Sequence, residues 1–211
     1  MEALRLGVIL AAGVCLVGLW LRLRHFLSLP LARDLSRARG SARRGARYAL
    51  TLGMMPWAKE STRKHALSYI RGVVFHLGIF AALVALVAAL SGARPVGGSL
   101  LLAEVLVGAG LVAGIIGLLE RLARPDLRAL STADDYVAVL VMDLVLLAAL
   151  AWLRDPAAVG WFYALAIAML VYIPLGKIRH CIFFFPARIF FGRHFGHRGV
   201  LPPAVGGGEA R

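Results

Sequence analysis

Gly72-Val73-Val74-Phe75-His76-Leu77-Gly78-Ile79-Phe80-Ala81-Ala82-Leu83-Val84-Ala85-Leu86-Val87-Ala88-Ala89-Leu90 runs for 19 residues without Lys, Arg, Asp or Glu. At about 1.5 Å of rise per residue, a helix of that length nearly spans the roughly 30 Å hydrocarbon core of a bilayer. An amphipathic helix of a soluble domain would show a polar stripe, and this stretch has none. It predicts a transmembrane helix whose one ionisable side chain is His76.

Four more blocks of the same kind lie outward from it, at residues 6–21, 99–119, 136–153 and 161–185. Together they predict an all-α membrane protein: a five-transmembrane-helix bundle over residues 1–185, with no separate soluble domain. The chain is 60% hydrophobic with a mean hydropathy of +0.79, which an ordinary soluble domain does not reach. Arg94-Pro95 with Gly97-Gly98, and Arg154-Asp155-Pro156, mark short turns. Residues 22–71 form a basic loop, and residues 186–211 a basic tail whose Pro- and Gly-rich end is expected to be loose. Gly110 and Gly114, four residues apart in the third block, suit a close helix contact.

Charge fixes the expected orientation. With the amino terminus outside and the carboxyl terminus in the cytoplasm, 21 of the 24 Lys and Arg residues fall on the inner side. Only Arg5, Arg94 and Arg154 fall outside. This asymmetry follows the positive-inside rule and predicts a multi-pass protein of a bacterial-type inner membrane. It also accounts for the net charge of +13 without nucleic acid. The stretch Ala32-Arg33-Asp34-Leu35-Ser36-Arg37-Ala38-Arg39, continued by Arg43, Arg44 and Arg47, reads either as a basic loop against anionic lipid or as a docking surface for a soluble partner. Cys15 and Cys181 form neither a CxxCH nor a paired CxxC motif, which excludes covalent haem and zinc or iron–sulfur ligation through such motifs. The first block lacks a small-x-small cleavage pattern and is expected to be a retained helix.

Of six histidines, His25, His65, His194 and His197 fall at or beyond block ends, where a solvated or headgroup-level side chain explains them. His76 lies about 6 Å inside the second block by helical rise, and His180 roughly 28 Å along the fifth, so both are predicted near the inner side. Two histidines on different helices at matching depth suit bis-imidazole ligation of a b-type haem; chance matching of two unrelated histidines is the alternative. Gly72, Gly78 and Gly176 would leave room for a flat macrocycle, and Arg71, Lys177 and Arg179 would pair its propionates. Asp143 and Glu104 are intramembrane carboxylates. Each can accept a quinol proton or serve as a paired structural group.

Val74-Phe75-His76-Leu77-Gly78-Ile79-Phe80 resembles the second helix of the gamma subunit of respiratory nitrate reductase. Pro174-Leu175-Gly176-Lys177-Ile178-Arg179-His180 resembles the end of that family's fifth helix, and the five-helix, amino-terminus-out topology agrees. The lead-in from Met55-Pro56-Trp57 to Arg63-Lys64-His65 is similar to the cytochrome b subunits of sulfite-reduction and heterodisulfide-reductase-like complexes. The resemblance implies a membrane cytochrome b subunit exchanging electrons between quinol, menaquinol or ubiquinol, and an iron–sulfur or other redox subunit docked on the basic inner face. It departs from the two-haem pattern at Leu86 and Phe162, which stand where that family carries the outer-haem histidines. One haem b, on His76 and His180, is therefore expected. A haem-free membrane anchor or transport subunit is the alternative from another class.

Overall fold

The computed structural model describes residues 1–30, 35–58 and 60–201. Part of the basic run at 32–39 and the Pro- and Gly-rich end of the tail lie outside the described residues. All regular elements among the described residues are helical: α1 (Glu2–Ser28), α2 (Ala42–Leu50), α3 (Glu60–Lys64), α4 (Ala66–Ser91), α5 (Gly97–Ala123), α6 (Pro125–Ala129), α7 (Ala133–Arg154), α8 (Val159–Tyr172) and α9 (His180–His197), with short 3-10 turns between some of them. Helices α1, α4, α5 and α7 are each long and apolar enough to cross a membrane. A fifth span exists only if α8 and α9, separated by a break, are counted as one. Leu10, Leu16, Val84 and Leu102 are exposed along these helices, an apolar surface that lipid covers and water would not.

The chain divides into two compact units, one of Met1–Arg22 with Leu67–Arg179, the other of Leu23–Ala66 with His180–Arg211. In the first, the core gathers Val8, Val107, Val145, Leu146, Leu153, Phe162 and Met169, all almost fully buried. Trp152 stacks on Phe162 with ring centroids 5.8 Å apart. The Tyr163 hydroxyl donates to the Ala89 carbonyl at 2.8 Å, and Arg94 donates to the Leu153 carbonyl at 2.9 Å, tying α8 to α4 and the 92–96 turn to α7. Small residues set the seams. A Cβ on Gly110 would stand 2.7 Å from the Gly78 Cα, so α4 and α5 meet backbone to backbone. On α1, Gly7 lies under Ile167 and Gly18 under Pro174, where a Cβ would come within 2.9 and 2.8 Å of a neighbour. Helices in a membrane gain little from hydrophobic exclusion, so such close van der Waals seams hold them together.

The expected fifth helix over 161–185 is not continuous. Helix α8 ends at Tyr172, and residues 173–176 turn before a 3-10 turn at Lys177–Arg179. Pro174 has no N–H to continue the ladder, and the amides of Leu175 and Gly176 both fall back on the Tyr172 carbonyl at 2.9 Å. The placement of His180 by straight helical rise along 161–180 therefore fails. Nor does a helix end before Pro186: α9 starts at His180 and carries Pro186 within it. Proline's fixed φ is helical, but the helix loses the bond to the Ile182 carbonyl and must accommodate the ring against it.

The second unit shows that the basic loop and tail contain ordered structure. Helix α2 starts at Ser41, whose hydroxyl accepts from the Arg44 amide at 3.3 Å. At its other end Arg188 of α9 donates to the Ala49 carbonyl at 3.0 and 2.6 Å and to the Gly53 carbonyl at 3.0 Å. Gly45 and Ala49 face Gly192 and Gly196: a Cβ on Gly196 would lie 2.7 Å from the Gly45 Cα, and one on Gly192 2.7 Å from the Ala46 Cα. The Arg39 and Gly40 amides close the far end on the His197 carbonyl at 2.9 and 3.0 Å. A helix as short as α2 is marginal alone, below the roughly 12–15 residues an isolated helix needs, so its packing on α9 holds it. Gly192→Val should therefore melt α2 and open Arg43, Arg44 and Arg47 to trypsin. Cleavage there no faster than in the wild type would show that α2 stands without this contact.

Candidate functional site

Asp143 is the one charged residue buried among the described residues, 5% exposed in the middle of α7. Neither carboxylate oxygen has a hydrogen-bond partner among the described residues. The carboxyl fits against α5 because position 114 is glycine: a Cβ there would overlap Oδ1, stand 2.9 Å from Cγ and stand 2.6 Å from Cε2 of Phe75 on α4. Three helices thus enclose the acid, and Phe75 is the chain neighbour of His76.

His76 is exposed on α4, and its Nδ1–H donates to the Gly72 carbonyl one turn earlier at 2.7 Å. That bond orients the ring, as a hydrogen bond from the other ring nitrogen does for a metal-ligating imidazole. His180 is the first residue of α9 and is also exposed. His76 belongs to the first unit and His180 to the second. The glycines expected to make room for a macrocycle differ among themselves. Gly72 has open space, whereas the space at Gly78 is taken by Gly110 and that at Gly176 by the Tyr172 ring. Gly78 and Gly176 serve packing.

The cations have protein partners. Arg71 pairs with Glu120 of α5, Lys177 with Asp135 of α7, and the Arg179 guanidinium donates to the Leu175 carbonyl at 2.9 Å. Asp135 also accepts from the Thr132 amide at 2.8 Å and so caps α7. Glu104 lies 3.6 Å from Arg154, while Asp143 has no such ion pair among the described residues. Leu86 and Phe162 both lie in the apolar core. His65 falls between α3 and α4, His194 stacks on Phe190 with centroids 6.1 Å apart, and His197 donates to the Ser36 carbonyl at 3.1 Å. The sequence reading missed Glu120 and the notch at Gly114, although the spacing of Gly110, Gly114 and Gly117 places them on one face of a helix.

Comparison with family models, curated proteins and solved structures gives no match, so function rests on these residues themselves.

An unpaired polar group in a core costs about 1–3 kcal/mol, and replacing it by an apolar group of similar shape can be neutral or stabilising. Asp143→Leu is thus expected to leave thermal stability in detergent unchanged or raised. Leu146→Ala, in the same helix core, should lose about 2–5 kcal/mol. A large loss in Asp143→Leu would mean that the carboxyl makes a stabilising contact.

Proposed function

We propose that this chain is a membrane cytochrome b subunit that exchanges electrons between the quinone pool and a partner redox subunit, through one haem b held by His76 and His180. The observation that carries this reading is the His76 tether: an imidazole in the uncharged block 72–90, its ring held by Nδ1–H on the Gly72 carbonyl. An ionisable side chain in such a helix is costly to keep and marks a functional position. Bound to the two imidazoles, the haem would supply a one-electron couple. The chain's residues would bind and orient it, Arg179 beside the ligand His180, and Arg71 and Lys177 sharing their charges with Glu120 and Asp135. The amino terminus would lie outside, placing exposed Arg43, Arg44 and Arg47 of α2 on the cytoplasmic face as the surface for an iron–sulfur partner.

Quinol oxidation releases protons with its electrons, and Asp143 rather than the paired Glu104 is the acceptor this reading selects. Packing of Leu86 and Phe162 in the core supports a single haem. Electrons and protons would then leave toward the same side, with no net charge crossing the membrane.

Two outcomes are expected. The purified, reduced protein should show a sharp alpha band and one haem b per chain by pyridine haemochrome. That band should vanish in His76→Ala and in His180→Ala but persist in His65→Ala and His194→Ala. A blank wild-type spectrum would leave the haem-free anchor or transport subunit, which the packing roles of Gly78 and Gly176 serve equally well. In vesicles, quinol oxidation by the complex should respond little to an uncoupler. A charge moved across the whole membrane would be worth about 2.3 kcal/mol per 100 mV, so strong stimulation would contradict the one-sided scheme.

A further inference from the structure

The face of α5 that holds Asp143 continues past it. Gly110, Gly114 and Gly117 share one side of the helix. The first abuts Gly78, the second receives the Asp143 carboxyl, and the third lies under the Arg71 side chain, where a Cβ would be 3.5 Å from Nε. Arg71 is itself bound to Glu120, so the same strip ends in a half-buried ion pair. From Gly114 to Glu120 the helix rises only about 9 Å. A strip of small residues would by itself indicate helix packing. Here a buried, unpartnered carboxyl is aimed into it.

An isolated carboxylate in apolar surroundings is so unfavourable that the group sheds its charge by taking a proton. An acid that exchanges this proton inside the membrane needs a path that delivers and removes it. From this arrangement we infer that Asp143 is a membrane-embedded proton-binding site, loaded and unloaded along the glycine furrow of α5, with Glu120 held by Arg71 at its mouth. The step is a proton transfer alone. The O–H bond of the Asp143 acid breaks and one forms on the Glu120 carboxylate or on water, with no electrons moved. The site stands without the haem; its use as acceptor of a quinol hydroxyl proton rests on the electron-transfer reading above.

The titratable and charged groups on the elements around Asp143 are few. Helix α4 carries Tyr69, Arg71 and His76, and α5 carries Glu104, Glu120 and Arg121. Helix α8 carries only Tyr163 and Tyr172, and the following 3-10 turn Lys177 and Arg179. On α7 itself Asp134, Asp135, Tyr136 and Arg154 lie toward the two ends. Glu104 meets Arg154, Glu120 meets Arg71, Asp134 accepts from the Tyr172 hydroxyl and Asp135 meets Lys177, so the unpartnered acid in this unit's interior is Asp143.

The test uses the full chain in lipid vesicles. Dicyclohexylcarbodiimide, an apolar reagent for protonated carboxyls, should modify Asp143 as located by mass spectrometry, with labelling that falls as pH rises. The infrared carbonyl band of a neutral carboxyl should disappear in Asp143→Asn. Its exchange in deuterium oxide should slow about tenfold in Gly117→Leu, as a barrier higher by about 1.4 kcal/mol would give. Gly108→Leu adds the same side chain where nothing lies within 4 Å and should exchange at the wild-type rate. Should Gly117→Leu fail to fold, Glu120→Gln gives the same readout. An unlabelled Asp143 with no neutral-acid band, or exchange indifferent to both furrow variants, overturns the inference. A labelled Asp143 in a protein without haem would sustain the proton site while removing the electron-transfer reading. An unlabelled one in a haem-bearing protein would do the reverse.

Discussion

Backbone contact between α4 and α5 at Gly78 and Gly110 sets the geometry around Asp143, because a Cβ on either glycine would run into the backbone of the other. Inside a bilayer the apolar side chains of both helices could as well face lipid, so hydrophobic exclusion does not choose the seam. Shape chooses it. Once α5 lies against α4 at Gly110, the next glycine on that face, Gly114, presents its bare backbone to α7 and admits a carboxyl that any side chain would exclude. Phe75 closes the same notch from α4. The second unit uses the device again, with Gly45 and Ala49 against Gly192 and Gly196. There it orders a basic segment that would otherwise be too short to hold a helix.

The spans were legible because the membrane imposes a length and a composition on them, and both are visible in a single sequence. The ends were less so. Helix α4 begins at Ala66, before the apolar block at residue 72, because a helix continues past the hydrocarbon wherever its backbone bonds are satisfied. The break after Tyr172 was written in Pro174 and Gly176, but a hydropathy reading joins apolar stretches across it. Helix α2 carries Arg43, Arg44 and Arg47 among small residues, and charge hid the Gly45 and Ala49 spacing that packs it. At the site, Asp143 and His76 stood out because ionisable groups in a span are rare. Glu120 did not, since a helix-end acid gains its meaning only when the fold hands it Arg71.

Charge in the first unit is neutralised in two ways. At one end Arg71 meets Glu120 and Lys177 meets Asp135, and at the other Arg154 meets Glu104. These pairs lie near helix ends, where long side chains reach one another and partial exposure lowers the cost of charge. Asp143 is in the middle of α7 with no hydrogen-bond or ion-pair partner among the described residues. A carboxyl enclosed in this way can be neutralised by a proton. His76 stands ten residues after Ala66 and Asp143 ten residues after Ala133, on helices with Phe75 packed between them. A chain selected for stability alone would fill the notch with a methyl-bearing side chain and leave no acid there. The carboxyl, with the glycine that admits it, is the feature that packing alone does not explain.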